Sequence, residues 1–260
     1  MGKEILLAIL QGITEFLPIS SSGHVLLAER FMGTSSATIE IIILLHFGSL
    51  LALIFVYRAM ILDLLYIFFG KRKDASKKKL FYLLTLTTIV SLVLIYFFHN
   101  VIITHLSTQM VGIGLLITGL MIVSSEYFGK RLQKRNDEKT FGVWEAVLVG
   151  IFQSLTIIPG LSRSGLTVSA LFGLGINRAR AIDISFLLSL PMLVCAGLYL
   201  VFSNNTSLIN DIGSDGFVLV GVSAIATFFA IKWMQRYIAK FWICFAPYCL
   251  IVGALVLIMW

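Results

Sequence analysis

The chain has 260 residues, of which 58% are hydrophobic and only 13% are charged. A soluble domain carries about 25% charged residues, so this composition excludes a soluble globular protein. The net charge of +7 comes without a cluster of basic and aromatic residues on a soluble face, which excludes a nucleic-acid-binding protein. Apolar stretches of about 20 residues, the length that crosses a hydrocarbon core, recur along the chain and predict a multi-pass membrane protein.

Taken in chain order, the apolar stretches are of two kinds. Segments 4–32 and 142–175 are broken near the middle by proline, glycine and serine, and each half is too short to span a bilayer. Broken backbone at membrane depth is tolerated only inside protein or beside a cavity, so both segments are predicted to be re-entrant helical hairpins. Three long, nearly charge-free stretches follow each hairpin. These six predicted transmembrane helices lie near 40–57, 80–98, 108–125, 181–201, 216–231 and 241–260.

The distribution of lysine and arginine predicts the orientation of this all-α integral membrane protein. Most of the 20 basic residues lie in three loops, at 71–79, 129–140 and 232–240. The connections 99–107 and 203–215 contain neither lysine nor arginine. The positive-inside rule therefore places the three basic loops in the cytoplasm and both termini outside.

The two broken segments match each other when the sequence is shifted by 142 positions. Gln11 then falls on Gln153, and Ser20 falls on Ser162. Because an odd number of spans follows each hairpin, the second half would be inverted in the membrane relative to the first. Such repeats place discontinuous helices near the bilayer midplane. The predicted repeats of this single membrane domain are 1–130 and 142–260.

Polar residues at the two breaks predict a phosphate site. Two helix N-termini, near Ser21 and Ser164, would converge there and present unpaired N–H groups and positive dipole ends. Arg163 can bind phosphate oxygens in bidentate fashion. Glu15 would repel an anion unless it is protonated or holds a cation. Mg²⁺ bound by one carboxylate and by substrate phosphates resolves this conflict.

Spacing also predicts a nucleophile. Ser21 and His24 are three residues apart at the start of a predicted half-helix, so they share a face, and a hydroxyl beside an imidazole is typical of nucleophilic catalysis. His46, inside the first span, is predicted either to bond a neighbouring helix or to support this site. The rival class is a transporter or flippase for a phosphorylated lipid or anion, because inverted repeats with broken helices recur in transporters.

These two motifs resemble the signatures of the bacterial undecaprenyl-diphosphate phosphatases, the bacitracin-resistance family. Residues 11–24, QGITEFLPISSSGH, are similar to the first signature, and residues 159–167, PGLSRSGLT, are similar to the second. The resemblance implies removal of the terminal phosphate from undecaprenyl diphosphate, which recycles the lipid carrier of peptidoglycan synthesis and confers bacitracin resistance. It also implies a bacterial cell-membrane location, with a site near the midplane that opens to the outer face.

The resemblance further implies roles for individual residues. The implied catalytic residues are Glu15, Ser21, His24 and Arg163. The implied phosphate-binding residues are Gln11, Ser20, Ser162, Ser164 and Thr167. The implied cofactor is a divalent cation, Mg²⁺ or alternatively Ca²⁺, with Glu15 as ligand; many members have a second carboxylate where this chain has Gln11. The choice of Ser21 or His24 as nucleophile stays open, as does the choice between a monomer and a homodimer among membrane lipids.

Overall fold

Every regular element among the described residues is helical, as the all-α prediction requires. The computed structural model describes residues 2–33, 39–103, 107–133, 139–202 and 206–260. Its α-helices are α1 Gly2–Thr14, α2 Ser21–Phe31, α3 Ile39–Phe68, α4 Ala75–Ile103, α5 Thr108–Gln133, α6 Val143–Ser154, α7 Arg163–Gly173, α8 Arg178–Phe202, α9 Thr206–Phe241 and α10 Phe245–Met259. Short 3₁₀ turns lie at Leu155–Ile157 and Trp242–Cys244. Parts of the predicted connections 99–107, 129–140 and 203–215 lie outside the described residues.

Six helices in the described part of the chain are long and apolar enough to cross a membrane, which confirms the number of predicted spans. They are α3, α4, α5, α8, α9 and the stretch Trp242–Met259, which includes α10. Several helices extend beyond the predicted stretches. The helix α3 continues to Phe68, although the apolar run ends before Arg58, because a charged side chain interrupts an apolar run without breaking a helix. At Tyr57 it departs from helical torsion angles, with φ −98° and ψ 15°.

The other four helices form two pairs of short helices, α1 with α2 and α6 with α7. Their lengths of 11 to 13 residues are below the roughly 20 that a transmembrane helix needs. The helices α2 and α7 correspond residue for residue at a shift of 142 positions. Each begins after a serine N-cap whose hydroxyl accepts a bond from a glycine N–H: Ser20 from Gly23 at 3.3 Å, and Ser162 from Gly165 at 3.1 Å. The helices α2 and α7 therefore share their bounds and their serine cap, although φ is 68° at Ser20 and −81° at Ser162.

The breaks in the two helix pairs lie against each other. Ser20 in the first break and Gly160 in the second both have positive φ, 68° and 88°. A Cβ atom on Gly160 would lie 2.2 Å from the carbonyl oxygen of Val111 in α5, so only glycine fits this approach. A Cβ on Gly23 would lie 3.3 Å from the Cα of Gly160. The N-terminus of α2 therefore packs on the second break, next to α5.

Each broken segment is held against a long helix by small residues and interhelical hydrogen bonds. The helix α1 packs along α9, where a Cβ on Gly12 would lie 2.5 Å from the carbonyl oxygen of Ser223. The helix α6 packs along α4, where the hydroxyl of Ser91 donates to the carbonyl of Gly150 at 3.0 Å. Small residues and hydroxyl bonds are the usual means of helix association in lipid. The half-helices α1 and α6 are thus covered by protein on their α9 and α4 sides.

Candidate active site

The carboxylate of Glu15 is the centre of the polar cluster at the breaks. It is buried in the turn that follows α1. Its Oε2 atom accepts hydrogen bonds from Gln11 Nε2 at 2.8 Å and from Ser21 Oγ at 2.7 Å. Its Oε1 atom accepts from Arg163 Nη2 at 2.6 Å. The Nε2 atom of His46 lies 3.3 Å from Oε2. Two partners from the first helix pair and two from distant parts of the chain, α3 and α7, therefore meet at one carboxylate.

Local helix geometry explains how these side chains are presented. The backbone N–H of Glu15 still donates to the carbonyl of Gln11 at 2.9 Å, so the two side chains keep the i, i+4 spacing of one helix face. Ser21 and Arg163 are the first residues of α2 and α7. Side chains at these positions lie beside the N–H groups that have no partner inside their helices. Both therefore combine with a helix dipole that favours anions.

A cavity of about 290 Å³ adjoins this cluster. Its polar lining consists of Glu15, Ser20, Ser21, Ser22, His46, Thr156, Ser162 and Arg163. Its apolar lining consists of Ile95, Ile157, Leu161, Met192, Leu193 and Ala196. The Nη1 atom of Arg163 is buried and has no hydrogen-bond partner in the described structure. An unpaired guanidinium donor beside two helix N-termini is suited to bind an anion.

Some of the residues predicted to bind phosphate hold the breaks together in this structure. The hydroxyl of Ser164 donates to the carbonyl of Leu17 at 2.9 Å and lies 3.2 Å from the hydroxyl of Ser162. The hydroxyl of Thr167 donates to the carbonyl of Arg163 at 2.7 Å and lies 2.6 Å from the hydroxyl of Ser185 in α8. Ser20 and Ser162 line the cavity, whereas Ser164 and Thr167 do not. The bonds of Ser164 and Thr167 join α7 to the first break and to α8.

The side chains of His24 and Ser21 have different hydrogen-bond partners in the structure. The Nδ1 atom of His24 lies 2.8 Å from the carbonyl oxygen of Ser20, and its Nε2 atom lies 2.6 Å from the hydroxyl of Tyr248. Because a carbonyl only accepts, Nδ1 carries the proton and Nε2 accepts from Tyr248. The His24 and Tyr248 rings are stacked with their centroids 5.7 Å apart. The hydroxyl of Ser21 instead donates to Glu15.

His46 and Tyr248 lie beside the predicted site residues but are not among them. His46 lines the cavity, and its Nδ1 atom lies 2.7 Å from the carbonyl of Ile42. The contact of His46 with Glu15 agrees with both predictions for His46, because Glu15 follows the neighbouring helix α1 and also belongs to the site. The sequence carries no signal for Tyr248, because it is a tyrosine in an apolar helix and its contact with His24 spans 224 residues.

The oxygen donors of the cluster fit a divalent cation only in part. No group of three or more His, Cys, Asp or Glu side chains that could hold a metal is found among the described residues. The Oε1 atom of Gln11 is buried without a hydrogen-bond partner, and the amide of the same side chain bonds Glu15. Hard cations such as Mg²⁺ accept carboxylate and amide oxygens and complete their shells with substrate phosphates. Glu15 and Gln11 would supply such protein ligands.

Comparison with known proteins identifies the family. Residues 4–255 match the family described as bacitracin resistance protein BacA. The undecaprenyl-diphosphatase of Halothermothrix orenii is 34% identical over 99% of this chain and 97% of that protein. Undecaprenyl-diphosphatase 1 of Bacillus cereus (strain ATCC 14579) is 36% identical over 98% of this chain and 96% of that protein. The chain therefore belongs to the BacA family.

Proposed function

We propose that this chain is a membrane phosphatase that hydrolyses undecaprenyl diphosphate to undecaprenyl phosphate and inorganic phosphate. The observation that carries the proposal is the cavity in which the Ser21 hydroxyl, the Glu15 carboxylate and an unpaired Arg163 donor meet at two helix N-termini. Membership of the BacA family supports it. The reaction would recycle the lipid carrier of peptidoglycan synthesis and confer resistance to bacitracin.

In the proposed reaction, the hydroxyl of Ser21 attacks the terminal phosphorus. The bond from the bridging oxygen to that phosphorus breaks, and undecaprenyl phosphate leaves. The Ser21 proton passes to the carboxylate of Glu15, which already accepts a hydrogen bond from the Ser21 hydroxyl at 2.7 Å. Water then attacks the phosphorus of the phosphoserine and inorganic phosphate forms. The bond from Ser21 Oγ to phosphorus breaks, and the serine oxygen regains its proton from Glu15. His24, which the spacing predicts as the base, contacts Ser20 and Tyr248 in this structure, and it would need a change of partner to act as base or as nucleophile.

Charge neutralisation is the second requirement of the reaction. Phosphoryl transfer depends mainly on positioning and on stabilising charge around the transferred group. Arg163 supplies its unpaired Nη1 donor, and the first N–H groups of α2 and α7 supply further donors. A divalent cation held by Glu15, Gln11 and substrate oxygens would neutralise further phosphate charge.

We also propose that α1–α2 and α6–α7 are re-entrant hairpins of inverted repeats, residues 1–130 and 142–260. The correspondence of α2 with α7 at a shift of 142 positions supports this arrangement. The proposed site opens to the outer face. Three lining residues support this direction: Ile95 lies towards the end of α4, and Met192 and Ala196 lie in the second half of α8. These helix ends are opposite to the basic loops, which the positive-inside rule places in the cytoplasm.

Phosphate release from farnesyl diphosphate by the detergent-purified protein tests the proposed function. We expect release with Mg²⁺ and a loss of at least about 10²-fold with EDTA, because the phosphate charge then lacks the cation that neutralises it. The chelator can remove the cation because few protein ligands among the described residues would hold it. Restoration by added Mg²⁺ is the control for damage by the chelator. No release under either condition would contradict the proposal and favour a transporter.

Replacement of Ser21 tests the nucleophile. Ser21→Ala should lower phosphate release at least roughly 10³-fold, because the covalent route needs its hydroxyl. The matched control is Ser169→Ala in α7, a buried serine whose hydroxyl has no partner in the described structure. Near-normal turnover of Ser21→Ala together with loss of activity in His24→Ala would exclude serine phosphorylation and favour His24 as nucleophile.

A further inference from the structure

A second, apolar groove adjoins the polar cavity. It has a volume of about 290 Å³ and lies between α3 and α8. Four residues of α3 between Ile43 and Leu50 and four residues of α8 between Leu193 and Leu198 line it. All eight are apolar. Leu193 lines both the groove and the polar cavity, so the two spaces share a wall.

The groove also reaches the outer surface of the helix bundle. Phe47 on α3 is 47% exposed, and Leu198 on α8 is 50% exposed. Both lie in apolar helices that are long enough to cross a membrane, so this exposed surface faces lipid. The groove therefore lies against the phosphate cavity at Leu193, and its open side meets the bilayer.

We propose that this groove binds the first isoprene units of the lipid diphosphate and so selects long-chain substrates. The inference rests on the proposed function. A diphosphate held by Arg163 carries an apolar chain that cannot remain among the serines of the cavity, and the groove beside Leu193 gives that chain an apolar route to the membrane. A volume near 300 Å³, at the lower end for ligand pockets, fits only the part of the chain next to the diphosphate.

Two other apolar grooves do not lie against the polar cavity in this way. One lies between α3 and α9 beside Phe228, and the other lies between α3, α4 and α8 beside Pro191. Neither shares a lining residue with the polar cavity. An acyl chain of a phospholipid could enter any of the three, whereas a chain covalently attached to a bound diphosphate reaches the groove at Leu193 first.

The physical basis of this selection is packing and tethering. Lipid tails are as apolar as the groove, so transfer of an isoprene unit from bilayer to groove gains little from the hydrophobic effect. The favourable binding free energy comes from close contact with the groove walls. It also comes from the covalent link, which makes binding of the chain intramolecular once the diphosphate is bound. The groove should therefore affect KM for long-chain substrates more than kcat.

Gly197 allows a direct test. It lines the groove, and a Cβ atom on it would meet nothing within 4 Å, so a larger side chain can start from this position towards the groove. The matched control is Gly221 in α9, where a Cβ atom also meets nothing within 4 Å and which lines none of these three grooves. The measurement is kcat/KM for farnesyl diphosphate divided by kcat/KM for dimethylallyl diphosphate, which has a single isoprene unit.

We expect the wild type to prefer farnesyl diphosphate. Gly197→Phe should lower the ratio about tenfold, mainly by raising KM for farnesyl diphosphate. Gly221→Phe should leave the ratio unchanged. If Gly197→Phe is not monodisperse, Phe47→Ala, which removes part of the opposite wall, should lower the same ratio. A ratio within about twofold of wild type in the folded groove variant, as expected if a bilayer acyl chain occupies the groove, would overturn the proposal. No phosphate release from either substrate by the wild type would instead show that the proposed function fails, and the groove proposal with it.

Discussion

Glu15→Gln should lower the rate of phosphate release at least roughly 10³-fold. The carboxylate accepts from Gln11, Ser21 and Arg163 in one buried cluster. Glutamine has no charge and one acceptor oxygen, so it cannot take the Ser21 proton, balance Arg163 and hold a cation. General-base catalysis alone is worth about 10²–10⁴-fold in enzymes, and the loss of cation binding adds to it. The expected loss is mainly in kcat.

Glu145→Gln is the matched control for this substitution. Glu145 is also a buried glutamate in an ion pair, with its Oε1 atom 3.2 Å from Lys139 Nζ. It lies in the first turn of α6 and does not line the cavity. Breaking a buried ion pair costs about 3–5 kcal/mol, so thermal unfolding of both variants is measured in parallel. A Glu15→Gln protein that stays folded and keeps more than a tenth of wild-type kcat would contradict the central role of this carboxylate.

Arg163→Lys should lower kcat/KM roughly 10²- to 10³-fold. Lysine keeps the positive charge but loses the planar fork, in which Nη2 donates to Glu15 while Nη1 is left unpaired for a substrate oxygen. An arginine that stabilises a transferring phosphoryl group is worth about 10³–10⁵-fold in other phosphoryl-transfer enzymes, so a lysine that keeps only the charge should retain part of that effect.

Arg178→Lys is the control for Arg163→Lys. Arg178 is a half-buried arginine that pairs with Glu126 and lies over the ring of Phe172, with its guanidinium carbon 4.2 Å from the ring centroid. It begins α8 and does not line the cavity. We expect its kcat/KM to stay within about threefold of wild type. The losses in Glu15→Gln and Arg163→Lys should be non-additive in the double variant, because the two side chains share a bond. If Arg163→Lys and Arg178→Lys lowered kcat/KM equally, both effects would be attributed to impaired folding.

The sequence predicts the number of spans well because charge is nearly absent from membrane-crossing segments. It predicts helix ends less well. The helix α9 runs from Thr206 to Phe241, whereas its apolar core is predicted at 216–231. The reason is physical: the apolar run follows the thickness of the bilayer, while a helix continues through the interface as long as its backbone bonds are satisfied.

The residues of the site are predictable from the motifs, but their partners are not. Spacing pairs Ser21 with His24 because both lie on one face of α2. At the first residue of a helix, however, a side chain can bond groups before the helix, and Ser21 contacts Glu15 there. His24 turns back to the carbonyl of Ser20, four residues earlier. A shared face thus indicates proximity and does not specify a bond.

Contacts between distant parts of the chain are beyond local pattern. The bond from Arg163 to Glu15 spans 148 residues and depends on the meeting of two breaks that only tertiary packing produces. The same is true of His46, which reaches Glu15 from α3. Pattern could indicate that charges at membrane depth belong to a site, because such charges are costly. It could not indicate that one carboxylate would accept from three side chains.

The most direct test of the central claim is phosphate release from farnesyl diphosphate with Mg²⁺, measured for the wild type, Glu15→Gln and Glu145→Gln in the same detergent. We expect rapid release by the wild type and Glu145→Gln and a loss of at least roughly 10³-fold in Glu15→Gln. Release by Glu15→Gln at the wild-type rate, or no release by the wild type, would contradict it.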